Sequence, residues 1–274
     1  MQLSLYTLLA TEVSLPEAIT LAARAGFDAV DLRMHDSGAH LLPSVSDGEV
    51  AQIRRWVHEA GLHVSGLTTY YAVGELEAEA VRANFEGLQR ALEIVELLGA
   101  RLLRLSGPGY PPAGESYETV REAFREQAAR LGQRAAERGL TASMEQHGGR
   151  LFASAGQIVD MMRGLPADGL GIVFDPGNCL TEGFEHPLVQ VDMLQRLIAN
   201  VHVKNGTTIA REGPAELLPI AQVKLDQGLL DWPAIVARLR GIGYDGYLTL
   251  EDFASFGSLR EKFEYDVKYL RSLL

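Results

Sequence analysis

Cysteine is nearly absent from this sequence: Cys179 is the single one among 274 residues. A lone thiol cannot form a disulfide within the chain, and a chain without disulfides is typical of a reducing compartment, so we expect a cytoplasmic protein. Long apolar runs and a basic leader are also missing. The first 18 residues, MQLSLYTLLATEVSLPEA, interrupt their apolar run with polar residues, so we predict neither a signal peptide nor a membrane span, and no membrane partner.

Basic residues are scarce as well, with 25 Lys and Arg against 36 Asp and Glu, which gives a net charge of −11. Proteins that bind nucleic acids usually present a basic face to the phosphates, so we expect no nucleic-acid partner. The chain contains no linker, low-complexity tract or charge block. Its length is typical of one α/β barrel, and we predict a single domain over residues 1–274.

One local pattern returns five times: the end of an amphipathic helix, a glycine, two or three residues, and an apolar run that closes on a polar residue. A glycine at this place is typical of the left-handed residue that ends a helix before a strand. The five glycines are Gly26, Gly61, Gly99, Gly139 and Gly243.

The apolar periodicity predicts eight helices that alternate with eight strands. Five strands follow the glycines, and three more are expected at 3–7, 171–175 and 198–204. Eight such units favour a (β/α)8 TIM barrel over the alternative, an open doubly wound sheet. The first strand–helix turn lacks the G-x-G-x-x-G of a dinucleotide fold, which also counts against that alternative. The long segment 205–230 is expected to be a lid or a wall of the site.

Polar residues close four consecutive strands, where a barrel builds its active site: Glu145, Asp175, His202 and Glu251. Each has a purely structural alternative, such as an ion pair of Glu145 with Arg104 or a turn role for Asp175 before Pro-Gly. Three carboxylates in one dry cavity would repel each other without a compensating charge. We therefore predict one divalent metal ion, with Mn, Mg, Co and Zn all compatible with one nitrogen and three oxygen ligands.

Four stretches carry a resemblance to a known family: ASMEQHG, IVFDPGN, VHVKN and GYDGYLTLED. They resemble the xylose-isomerase-like TIM barrels of the sugar phosphate isomerase/epimerase group, and the resemblance runs from the first strand to the last helix. It implies that Glu145, Asp175, His202 and Glu251 bind one metal, for which manganese is a suitable ion. It also implies that Glu145 and Glu251 are the catalytic acid and base.

The implied function is a metal-dependent isomerase or epimerase of carbohydrate metabolism. Its substrate would be a small ketose, a polyol-derived ketone or a sugar phosphate, and the proton would move through a metal-stabilised enediolate. Two departures from the ketose 3-epimerases leave the exact reaction open: Asn178 and Thr208 stand where those enzymes carry a His and an Arg that touch substrate.

Three alternatives remain: a metal-dependent dehydratase on the same barrel, an endonuclease IV-like repair enzyme, and a non-catalytic sugar-binding barrel. Endonuclease IV is disfavoured by Asn178, by the absence of any histidine after His202 and by the acidic balance. The expected partner is a sugar or sugar-derived small molecule, and a homo-oligomer is left open.

Further polar residues near the strand ends are candidates for substrate binding through hydroxyl, carboxylate or phosphate contacts. Strand alternation favours the two that lie two residues beyond a ligand. The candidates are His147, Lys204, Asn178, Arg104, Arg33 and His35.

Overall fold

Eight parallel strands pair edge to edge and close into a barrel, as the sequence predicted. The computed structural model describes residues 1–181, 185–210 and 218–274. The barrel strands are β1 Gln2–Tyr6, β2 Ala29–Arg33, β3 His63–Ala72, β4 Leu102–Ser106, β5 Thr141–Glu145, β6 Leu170–Phe174, β7 Ile198–Val203 and β10 Tyr247–Leu250, and a separate antiparallel pair consists of β8 Gly206–Thr208 and β9 Ile220–Gln222. The last strand, β10, lies between β1 and β7, which completes the circle.

Helices follow the barrel strands and cover the outside of the sheet. Among the described residues they are α1 Leu15–Ala25, α2 Asp47–Glu59, α3 Ala78–Leu98, α4 Tyr117–Ala136, α5 Ala155–Met162, α6 Pro187–Leu194, α7 Trp232–Gly241 and α8 Leu259–Leu273. Their buried faces pack on the strands in one continuous apolar core. No helix in the described ranges has the length and apolar content needed to cross a bilayer.

Helix ends are set by the local signals that the sequence shows. All five glycines of the repeated pattern have left-handed backbones, with φ between 67° and 93°. Asp231 accepts a hydrogen bond of 3.0 Å from the backbone N–H of Ala234 and so caps α7, with Pro233 in the first turn. The predicted αβ repeat is therefore confirmed at the residues that end each unit.

The segment after β7 is more ordered than the predicted loop. β8 and β9 pair antiparallel within it, and the Asn205 side chain ties the segment together by donating to the carbonyls of Leu225 and Leu230 at 2.7 and 3.0 Å. A buried amide needs such partners, and here they come from backbone that would otherwise be unpaired. Residues 211–217 of the expected lid lie outside the described residues.

Two glycines with nearly equal φ angles, Gly169 at 78° and Gly243 at 79°, differ in the space around them. A methyl group on Gly169 would overlap the carbonyl oxygen of Gly132, whereas no atom lies within 4 Å of one on Gly243. Urea unfolding should show that Gly243→Ala lowers the free energy of unfolding by about 1 kcal/mol, from backbone strain alone. Gly169→Ala should cost about 2 kcal/mol more, because α4 must move away. Equal losses of unfolding free energy in the two variants would contradict the close packing of Gly169 against α4.

Candidate metal centre and active site

Four side chains from adjacent strands meet at the carboxyl end of the barrel. Glu145 is the last residue of β5, Asp175 follows β6, His202 lies in β7 and Glu251 follows β10. All four are buried, and one ligand atom from each lies within 4.8 Å of the others. The barrel thus brings together the four residues that the sequence analysis placed at these strand ends, while their role as metal ligands stays a prediction.

His202 shows why this cluster fits a cation. Its Nδ1 lies 2.9 Å from a Glu145 oxygen, 3.2 Å from a Glu251 oxygen and 3.7 Å from an Asp175 oxygen. Neither ring nitrogen, however, has a hydrogen-bond partner of acceptable geometry among the described residues. Burying an imidazole without hydrogen bonds costs free energy. The His202 nitrogen and the three carboxylate oxygens lie close together without hydrogen bonds between them, so one cation could bind all four. One nitrogen and three carboxylate oxygens match the donors of a divalent metal site.

Two buried cations compensate the carboxylates from the side. Arg104 in β4 forms an ion pair with Glu145, and Lys204 lies 2.7 Å from an Asp175 oxygen and 2.8 Å from a Glu251 oxygen. The ion pair of Glu145 with Arg104, stated above as the structural alternative for Glu145, therefore occurs, but it occurs beside the converging ligand atoms. Glu145 faces Arg104 with one oxygen and His202 with the other, whereas Asp175 and Glu251 each approach both Lys204 and His202 with a single oxygen.

These contacts set the ionisation of the site. Burial by itself raises the pKa of Glu145, but the Arg104 guanidinium, His202 and Lys204 together outweigh it and hold that pKa well below its usual range. Burial likewise raises the pKa of Glu251, yet Lys204 and then His202 lower it to about 2. Burial lowers the pKa of His202, and the surrounding carboxylates, Glu251 first, raise it well above its usual value. Both glutamates are thus carboxylates at neutral pH.

The turn after β6 holds Asp175 in place. The backbone N–H of Asn178 donates to one Asp175 oxygen at 2.9 Å, and its side-chain amide donates to the other at 2.8 Å. The same amide donates to the carbonyl of Gln146 at 3.0 Å, which links this turn to the end of β5. Asn178 therefore orients a predicted ligand, and its contact with substrate remains a prediction.

Arg33 and His35, at the end of β2, gather around Tyr70 of β3. Arg33 donates from Nε to the Tyr70 hydroxyl at 3.1 Å, and the His35 ring meets the Tyr70 ring edge to face at 4.6 Å. Tyr6, at the end of β1, continues the group, because its hydroxyl lies 3.0 Å from that of Tyr70 and its ring stacks on His202 at 5.8 Å. The sequence analysis missed Tyr6, although its place at a strand end was a usable signal.

His147 lies differently from the expectation. β5 ends at Glu145, so strand alternation does not reach His147, whose exposed ring contacts the carbonyl of Gly148. The buried residue there is Gln146. Lys204 follows β7 in the same way, yet its length carries the ammonium into the cluster. The sequence analysis also missed Arg150, which is half-buried and donates to the carbonyl of Gly107 at 2.9 Å. No sequence motif indicated this residue.

Comparisons with known proteins agree with this architecture. The family model described as xylose isomerase-like TIM barrel matches residues 19–273. The fold resembles a 3-keto-D-glucoside 4-epimerase from E. coli, with a TM-score of 0.80, 15% identity and 99% of both chains covered. It also resembles a probable 3-DHS dehydratase from Bacillus anthracis, with a TM-score of 0.79, 15% identity and 99% of both chains covered.

A third similar structure is a xylose isomerase-like TIM barrel protein from Mycobacterium smegmatis in complex with magnesium. The TM-score is 0.75 at 18% identity, and the match covers 99% of this chain and 97% of that one. A search of curated proteins finds no match by sequence. At these identities the structural likeness shows the fold alone.

Removing Arg104 should expose the cost of the buried negative charge. We expect Arg104→Met to lower the free energy of unfolding by about 3 kcal/mol or more in EDTA, because Glu145 loses its partner in a buried site. The control is Arg238→Met, which breaks an ion pair of 2.7 Å whose two side chains are 43% and 47% exposed, and it should cost less than about 1 kcal/mol. Urea unfolding of the three proteins measures both, and a loss for Arg104→Met as small as the control would contradict the charge assignment.

Proposed function

This chain belongs to the xylose isomerase-like TIM barrel family, and we propose that it is a divalent-metal-dependent isomerase or epimerase of a small ketose, a polyol-derived ketone or a sugar phosphate. The observation that carries the proposal is the convergence of Glu145, Asp175, His202 and Glu251, with both nitrogens of a buried imidazole left without hydrogen bonds. The similar fold of a sugar epimerase from E. coli supports this reaction class.

The same four residues would hold the metal. Their mixture of imidazole and carboxylate donors suits Mn²⁺ and Mg²⁺ and also accepts Co²⁺ or Zn²⁺. A divalent ion bound there would act as a Lewis acid that makes the proton beside a substrate carbonyl easier to remove. Magnesium in the similar barrel from Mycobacterium smegmatis supports a divalent ion here.

Glu145 and Glu251 would move the proton. Each is ionised at neutral pH, so either can accept a proton from carbon. The other can return a proton to the opposite face once it has taken one from solvent or from a substrate hydroxyl group. Arg104 and Lys204 hold the two carboxylates from outside the cluster and fix their orientation. The four side chains are buried, which strengthens the charge interactions among them.

A dehydratase is the second candidate, supported by the similar fold of the probable 3-DHS dehydratase from Bacillus anthracis. A glutamate would remove the same proton, a hydroxyl group would then leave the neighbouring carbon, and the glutamate that took up the proton would deliver it to the departing oxygen, which leaves as water. A DNA repair site with several zinc ions fits less well. Across the described residues one group of His, Cys, Asp and Glu could hold a metal, and it contains a single imidazole.

Metal content tests the centre directly. Elemental mass spectrometry should find about one divalent ion per wild-type chain after incubation with Mn²⁺, Co²⁺, Mg²⁺ or Zn²⁺ and removal of the excess. The double variant His202→Ala, Glu251→Gln should lose the ion, because two of four ligands are gone. The control His58→Ala, Glu59→Gln changes the same residue types at exposed positions of α2 and should keep it. A wild type that takes up none of the four ions overturns the proposed centre.

Hydrogen exchange tests the chemistry whatever the product is. Metal-loaded protein in D2O should replace a carbon-bound hydrogen next to the carbonyl of a ketose, which proton NMR detects in a panel that includes D-fructose, D-tagatose and L-sorbose. Glu145→Gln and Glu251→Gln should each slow the exchange about 100-fold or more. The exposed Glu264→Gln on α8 should not. Exchange at the wild-type rate in both site variants would show that the glutamates do not transfer the proton. Loss of water from the substrate would instead identify a dehydratase.

A further inference from the structure

One buried arginine has no carboxylate partner among the described residues. Four lysine and arginine side chains are buried within the described ranges: Arg33, Arg104, Lys204 and Lys262. Three of them have a carboxylate oxygen within 4.0 Å, namely Arg104 from Glu145, Lys204 from Asp175 and Glu251, and Lys262 from Asp252. Arg33, which is 8% exposed, forms no ion pair with any described residue. Since an unpaired charge is costly to bury, Arg33 calls for an explanation.

The contacts of Arg33 are all with neutral groups. Its Nε donates to the Tyr70 hydroxyl at 3.1 Å, and its Nη1 donates to the carbonyl of Gly38 at 3.2 Å. The guanidinium also lies over the Tyr70 ring, 5.4 Å from its centroid. Its Nη2 hydrogen-bonds to no described residue. These contacts fix the orientation of the guanidinium, but no described group neutralises its charge or binds its Nη2 edge.

Arg33 is adjacent to the metal centre through two tyrosines. The Tyr6 ring stacks on His202, the Tyr6 hydroxyl meets the Tyr70 hydroxyl at 3.0 Å, and the Tyr70 hydroxyl accepts from Arg33. Arg104, the partner of Glu145, lies over the same Tyr70 ring at 5.3 Å. Arg33 ends β2, on the rim where the four ligands end their own strands. A molecule of sugar size could therefore reach both the centre and Arg33.

Within the described ranges no carboxylate oxygen lies within 4.0 Å of the Arg33 guanidinium. The three carboxylates of the centre are already matched by Arg104 and Lys204 and would also face the metal. Arg33 is therefore the one buried lysine or arginine of the described residues whose charge has no described counterpart.

We propose that the substrate carries a carboxylate group, and that Arg33 binds it while the reacting carbonyl sits at the metal centre. The proposal rests on the proposed function and deepens it by naming the substrate class. A carboxylate matches the one free edge of the guanidinium. A phosphate, with three oxygens to satisfy, would require more donors than Arg33 presents here. Neutral ketoses would leave the Arg33 charge buried and unpaired.

Two probes that differ at one carbon test this assignment. L-Sorbose and 5-keto-D-gluconate share the same hydroxymethyl ketone and the same hydroxyl configurations, and the second has a carboxylate where the first has a terminal hydroxymethyl group. Isothermal titration calorimetry on the metal-loaded protein should show about tenfold or more tighter binding of the keto acid. D-Fructose and D-fructose 6-phosphate, titrated in parallel, measure any preference for phosphate.

Arg33→Gln should reduce the preference for the keto acid to about twofold or less, since the neutral amide keeps a donor but no charge. Arg24→Gln, an exposed arginine of α1, is the matched control and should keep the wild-type preference. Circular dichroism verifies that the variants fold. If Arg33→Gln does not fold, the comparison of the two probes on the wild type still decides the matter.

Three results would overturn the carboxylate subsite. In the first, the wild type binds both probes equally or does not measurably bind the keto acid. In the second, Arg33→Gln keeps the full preference for the keto acid. In the third, affinity increases only for fructose 6-phosphate. Metal uptake and hydrogen exchange separate this failure from failure of the proposed function. A protein that takes up metal and exchanges hydrogen on neutral ketoses, without a preference for the keto acid, keeps the function and loses the subsite. One that takes up no metal loses the function first.

Discussion

Repulsion among three buried carboxylates is the constraint around which the upper half of this barrel is organised. Glu145, Asp175 and Glu251 bring three carboxylates to one point, and the two glutamates remain ionised at neutral pH. Such a cluster is stable only when positive charge surrounds it, since like charges interact strongly where water is excluded. Arg104 and Lys204 supply part of that charge from within the protein. The unpartnered nitrogens of His202 indicate where a further cation would complete it.

The closed parallel sheet makes this concentration of charge possible. Because all eight strands run in the same direction, their carboxyl ends meet on one rim, and residues far apart in the chain become neighbours. The apolar core beneath the rim and the helices outside it give the rigidity that holds buried charges at fixed positions. Left-handed glycines end the helices before the strands, and the ligands of β5, β6, β7 and β10 meet at the same rim although their strands are staggered.

Arg33 contrasts with the crowded carboxylates, because it is a buried cation without a carboxylate partner among the described residues. A site that had to bind only a neutral sugar would have no reason to bury a fourth cation without a partner. Tyr6 and Tyr70 connect this cation to the metal centre through ring stacking and hydroxyl contacts. The centre and Arg33 therefore form one continuous surface, on which the reacting group and an anionic group of the same molecule would be held apart by a fixed distance.

The sequence by itself determined the barrel, the glycines that end its helices, the cap at Asp231 and the four residues that converge, because all of these depend on local periodicity or on the end of a strand. Only the tertiary structure decided which side chains meet across the rim. The hairpin after β7, the stacking of Tyr6 on His202, the exposure of His147 and the isolation of Arg33 all depend on contacts between distant segments. Local patterns place a residue on a strand, but the partners that surround a buried charge are set by how the whole chain packs.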